Sequence, residues 1–115
     1  MTIVSPVWLR DPRLAKAIYA MHQRPGVNWK VEDLAREAGL SRSLFAERFL
    51  AATGTTPARY LTELRMRLAV QYITHEGQAL EKVAFSLGYQ SLAAFSRAFK
   101  RITGQPPGAL RATAR

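Results

Sequence analysis

The chain has 115 residues, 48% of them hydrophobic, and carries 17 Lys+Arg against 8 Asp+Glu, a formal net charge of +9. That length fits one compact domain, or two small lobes sharing a core, with enough apolar content to build it. The lack of cysteine excludes disulfides and thiolate metal sites, and no apolar run approaches the roughly 18 residues of a membrane span.

Residues 1–10 have no clear period and read as a lead-in without the charged and apolar regions of an export signal. Asp11-Pro12 starts a helix, with Asp as the cap and Pro in the first turn. Leu14, Ile18 and Met21, with Ala17 beside them, form its apolar face, and Pro25-Gly26 ends it. A second helix runs from Val31 to Ala38, with Val31, Leu34, Ala35 and Ala38 on one face. Glu32 and Asp33 suit the positive end of its dipole, Lys30 is a poor cap, and Gly39 closes it. Ser41 caps a third helix reaching Thr53, with Leu44, Phe45, Phe49 and Ala52 inward. Thr56-Pro57 opens a long helix ending near His75, with a stripe of Leu61, Leu64, Leu68 and Tyr72 widened by Ala69 and Ile73. Helices from Leu80 to Leu87 and from Ser91 to Thr103 flank a turn at Gly88-Tyr89-Gln90. Pro107 begins a last short helix. No segment alternates with period 2, so the expected class is all-α.

Two stretches repeat one pattern. Ala35, Gly39, Ser41, Phe45, Phe49, Thr53, Gly54 and Pro57 recur as Ala84, Gly88, Ser91, Phe95, Phe99, Thr103, Gly104 and Pro107. The offset is 49 through the glycine (88 − 39) and 50 after it (91 − 41), so the second copy has one extra turn residue. Each copy has the parts of a helix-turn-helix. A small residue lets the helices cross closely, a glycine makes the turn, and a serine caps the second helix. The capped end then aims backbone N–H groups and partial positive charge at phosphates or base edges of a major groove.

The charge agrees. Thirteen of the seventeen cations are Arg, the residue suited to bidentate contact with phosphate and guanine. No acid follows Glu81, whereas Lys82, Arg97, Lys100, Arg101, Arg111 and Arg115 do. His22 and His75 lack a helical-spaced ligand partner, so no metal or cofactor site is expected. Ser41 and Ser91 have no His or acid at a motif position beside them, so no enzyme is expected. Phe45, Phe49, Phe95 and Phe99 read as core. Arg36, Arg59 and Arg67 read as solvated surface, and Arg65 as a partner for an acid or a phosphate. Trp8 and Trp29 flank the first helix as a cover or staple.

The L-A-x-x-x-G-L-S run at 34–41, Phe49 with Thr53-Gly54 and Pro57, Arg65 to Ala69, V-A-x-x-x-G-Y at 83–89, and Phe95-Ser96-Arg97-Ala98-Phe99-Lys100 with Gly104 and Pro107 resemble the AraC family of bacterial transcription regulators. The resemblance covers about Asp11 to Arg111. It implies seven helices in two homeodomain-like helix-turn-helix lobes, 11–55 and 77–115, joined by a linker helix at 56–76 that places both recognition helices in successive major grooves. It implies base contacts by Arg42, Ser43, Ala46 and Glu47 in the first recognition helix and by Leu92, Ala93, Ser96 and Arg97 in the second. Ser41, Gln90, Ser91, Lys100, Arg101 and Arg111 are the expected phosphate contacts. Two positions depart from the family pattern: Glu47, where Arg is frequent, and Leu110, where an aromatic residue commonly precedes the final Arg.

The implied partners are double-stranded DNA and RNA polymerase, with activation as the family habit and an N-terminal, often cupin-like, effector-binding domain in longer members. The implied location is the cytoplasm, at the nucleoid. The competing class is a basic helical interaction module docking an acidic protein, which has no need of two tandem glycine turns with matched caps.

Overall fold

The computed structural model describes residues 11–113, and the side chains of residues 11–110. Trp8 and the rest of the lead-in, and the Arg111 side chain, lie outside the described residues. Seven helices and no strand occur among the described residues: α1 Pro12–Gln23, α2 Val31–Ala38, α3 Arg42–Thr53, α4 Pro57–Thr74, α5 Leu80–Ser86, α6 Leu92–Thr103 and α7 Pro107–Thr113. None is long and apolar enough to cross a membrane.

Most helix starts are made by the residues that predict them. The Asp11 carboxylate accepts the Arg13 N–H at 3.0 Å. Ser41 Oγ accepts from Leu44 N at 3.2 Å, Thr56 Oγ1 from Arg59 N at 3.2 Å, and Ser91 Oγ from Ala94 N at 3.0 Å. Lys30 offers no side-chain acceptor, but Asp33 compensates: its Oδ2 accepts the Lys30 N–H at 3.0 Å. Replacing Ser91 with Ala leaves one orphan donor at the start of α6. Stability should fall by about 1 kcal/mol, read as a lower urea midpoint with an unchanged slope.

The helix ends also repeat. Thr53 Oγ1 lies 2.8 Å from the Phe49 carbonyl oxygen and accepts the Thr55 N–H at 3.3 Å. Thr103 Oγ1 does the same at the end of α6, 2.7 Å from the Phe99 carbonyl oxygen and 3.4 Å from Gln105 N. Each threonine ties off the last turn of a serine-capped helix, which is why Thr-Gly recurs with the repeat.

The helices form two compact units. One comprises the described residues up to Arg24 together with Trp29–Leu61; the other comprises Pro25–Asn28 together with the described residues from Thr62 onward. In the first, α1, α2 and α3 pack on one another and bury Leu14, Ala17, Ile18, Met21, Leu34, Ala35, Ala38, Phe45 and Phe49. The Phe45 and Phe49 rings meet at a tilt with centroids 5.6 Å apart, and the Tyr60 ring meets Phe49 edge-on at 5.5 Å. In the second, Met66, Ala69 and Ile73 of α4 pack with Val83, Ala84, Leu87, Phe95, Ala98 and Phe99. There the Phe95 and Phe99 rings meet at a tilt with centroids 5.7 Å apart, and Tyr89 joins Phe95 at 5.7 Å.

The apolar stripe expected along α4 needs correction. Leu61, Leu64, Ala69 and Ile73 are buried as expected, but so is Met66, while Leu68 and Tyr72 are only half-buried. The helix divides its residues: Pro57–Leu61 belong to the first unit and the rest to the second. A helix serving two cores buries more than one face, so a single 3.6-residue stripe does not describe it.

Candidate nucleic-acid interface

The interface is built on the two serine-capped helices. In α3 the buried side chains are Phe45 and Phe49, one turn apart. This turns Arg42, Ser43 and Glu47 to the exposed side, with Ala46 half-buried beside them. In α6 the buried set is Phe95, Ala98 and Phe99. Ala93 and Arg97 are exposed, and Ser96 is half-buried at the margin of the same face. Leu92 is half-buried and packs against the core of its unit, so only part of its side chain remains free for a thymine methyl.

The flanking candidates fall as follows. Ser41 is exposed and Ser91 half-buried; each hydroxyl oxygen accepts a backbone N–H of its own helix, which leaves the hydroxyl proton available to a phosphate oxygen. Gln90 is exposed immediately before the Ser91 cap. Lys100 and Arg101 are exposed in the last turn of α6. With Arg97 they place three cations on a helix that holds no acid.

The comparisons with known proteins agree with this geometry. The sequence model of a family described as a helix-turn-helix domain matches residues 34–113. A protein of Streptomyces lividans named as an AraC-like transcription regulator is 44% identical over 100 residues, covering 87% of this chain and 33% of its own length. The chain belongs to the AraC family of transcription regulators. RclR of Escherichia coli strain K12, described as an RCS-specific HTH-type transcriptional activator, is 42% identical over 103 residues, covering 90% of this chain and 36% of its own length. The DNA-binding domain of AdpA, a global transcriptional factor solved with a target DNA, superposes with a TM-score of 0.84 at 30% identity, covering 90% of this chain and 93% of that one. The chain thus spans about a third of the length of the curated relatives it matches.

Three features of this AraC-family domain are not legible from its motifs. Arg42, the expected base reader at the start of α3, is in an ion pair: its Nη1 stands 3.1 Å from Oε1 of Glu32 on α2. Ten residues separate the two, far from any helical spacing, so only the folded turn brings them together.

Among the described residues Arg65 is held by backbone carbonyls and a ring rather than by an acid. Its Nε donates to the Pro25 carbonyl at 2.8 Å and its Nη2 to the Val27 carbonyl at 2.9 Å. The guanidinium also lies 5.6 Å from the centre of the Tyr89 ring. Burial lowers the Arg65 pKa from its ordinary value and raises that of Tyr89, in each case opposed by the attraction between the two. This cation gathers the 25–28 loop onto the turn that precedes α6.

Trp29 finishes α1. Its Nε1–H donates to the Arg24 carbonyl oxygen at 2.8 Å, and the Arg24 guanidinium lies 5.9 Å from the ring centre. The expected apolar cover or staple is here a hydrogen bond to the C-cap residue of α1.

Proposed function

We propose that this chain binds double-stranded DNA at specific sequences, entering major grooves with α3 and α6, and thereby regulates transcription. The observation that carries the reading is the matched pair of serine-capped helices, each burying two phenylalanines and exposing a polar, Arg-bearing face. Backbone N–H groups at each capped end, and the dipole behind them, favour an anion there. Arg42, Ser43, Ala46 and Glu47 face base edges from α3, and Leu92, Ala93, Ser96 and Arg97 from α6. Ser41, Gln90, Ser91, Lys100, Arg101 and Arg111 anchor phosphates. The repeat makes the cognate site two tandem elements about 10 base pairs apart on one duplex.

The finer reading is activation through an exposed surface that meets RNA polymerase, in a cytoplasmic protein working on the nucleoid. The description of RclR as an activator supports it. The greater length of the relatives supports an effector-binding domain elsewhere in the whole protein.

Arg97 provides the test. It is exposed on α6, outside the core, so Arg97→Ala removes a base contact without disturbing packing. Selection of bound sequences from a random duplex pool should return two elements with the parent chain. The variant should lose about 1–3 kcal/mol on the selected duplex and tolerate other bases at one position of one element. Equal affinity of the parent chain for selected and random duplexes at near-physiological salt would overturn the reading and favour an acidic protein partner.

A further inference from the structure

The Glu32–Arg42 ion pair joins the first helix of the helix-turn-helix to the first residue of the helix that follows it. Both side chains remain substantially exposed, Arg42 at 68% and Glu32 at 46%, so a duplex can reach the guanidinium while the carboxylate holds it. We propose that Glu32 is a specificity-determining residue of the first helix-turn-helix: it positions Arg42, taking one edge of the guanidinium and presenting the other to a guanine. The proposal rests on the reading of Arg42 as a base contact.

Two observations and one physical argument favour a positioning role over ordinary helix chemistry. The start of α2 is already served by Asp33, whose carboxylate accepts the Lys30 N–H and also pairs with Arg36 at 3.4 Å. The capping contact is therefore made by Asp33 and not by Glu32. The pairing is also confined to one repeat. The counterpart of Glu32 is Glu81 (32 + 49), which likewise sits in the first turn of its helix. The counterpart of Arg42 is Leu92 (42 + 50), which carries no charge. An acid at this position thus serves the dipole in both units but meets a base-reading cation only in the first. Finally, an unrestrained Arg at the end of a recognition helix has phosphates within reach on either side, and every phosphate is alike. A carboxylate that fixes the guanidinium plane removes those alternatives and leaves the donor pair that matches guanine O6 and N7.

The experiment uses the full chain and a random duplex pool. Sequences are selected with the parent, Glu32→Gln, Glu32→Asp and Arg42→Ala, and affinities are then measured on the parent's selected duplex, on its single-base variants and on random DNA. Glu32→Gln should reduce discrimination about three-fold at the one base pair that Arg42→Ala also relaxes, and raise affinity for random DNA because one negative charge has gone. Glu32→Asp keeps the charge but is too short for the contact. It should relax the same base pair without raising random-DNA affinity. In an Arg42→Ala background, Glu32→Gln should not change discrimination any further.

If Glu32→Gln strengthens binding to every duplex equally and Glu32→Asp changes nothing, the carboxylate acts only as a nearby charge, and the proposal is overturned while the DNA-binding reading stands. If Arg42→Ala leaves every base preference intact, Arg42 is no base reader, and both its assignment and the proposal are lost. If the parent enriches no sequence, the whole regulatory reading fails with them.

Discussion

Gly88→Ala should lower stability by about 3 kcal/mol, whereas Gly39→Ala, at the same place in the first repeat, should cost only about 1 kcal/mol. Both glycines have positive φ, 70° at Gly39 and 90° at Gly88, where a Cβ is disfavoured. Backbone strain is therefore common to the two substitutions. The difference lies in what surrounds them. A Cβ on Gly39 would meet nothing within 4 Å. A Cβ on Gly88 would stand 2.7 Å from the Gly26 carbonyl oxygen and 2.9 Å from Arg65 Nη2. The first of these is backbone and cannot swing aside. The second is one of the two nitrogens that hold the 25–28 loop, so moving it forfeits the bond to Val27. Gly26 is confined in turn, because a Cβ there would overlap the Ser86 carbonyl oxygen. The turn before α6 is thus a site where two backbones approach closely, and the turn before α3 is an open one. Urea unfolding of the two variants beside the parent checks this. Equal losses would mean that the crowding around Gly88 relaxes without cost.

That contrast shows what the sequence can and cannot carry. Helix caps, turn glycines and the four core phenylalanines are legible because their signals are local: Ser41 acts on Leu44, Asp11 on Arg13, and Phe45 and Phe49 lie one turn apart. The exposed faces of α3 and α6 follow directly, since a helix that buries one side presents the other. The pairing of Glu32 with Arg42 and of Arg65 with two loop carbonyls has no spacing rule behind it. Each depends on a turn, or on a loop folded onto a residue 38 or 40 positions away. The assignment of residues 25–28 to the second unit is hidden for the same reason. The stretch Pro25-Gly26 reads as the end of a helix, which it follows, but the Pro25 carbonyl oxygen, together with that of Val27, is also an acceptor for Arg65. The α4 stripe was legible only in part, since a helix that contributes to two cores also buries Met66 outside it.

The second large effect concerns salt. If six to ten phosphates are neutralised, affinity for the selected duplex should fall by about 10³–10⁵ between 50 and 200 mM salt, as condensed counterions are released from the duplex. Lys100 and Arg101 stand where a cation suits two roles, because one in the last turn of α6 also complements the negative end of its dipole. The two roles leave different signatures. As phosphate anchors, their joint replacement by Gln should reduce the slope of log K against log salt by about 1.8, roughly 0.9 for each contact. The parent should then lose about ten-fold more affinity than the variant over that salt range, and the bases selected should stay the same. As dipole partners alone, the same substitutions should lower the unfolding free energy by about 0.3–1 kcal/mol each and leave the slope untouched. Arg97→Ala should do the reverse of the anchoring case, altering the selected bases more than the salt dependence. A slope unchanged in the Lys100, Arg101 variant would remove both residues from the phosphate-binding face and move the anchoring of α6 onto its Ser91-capped end.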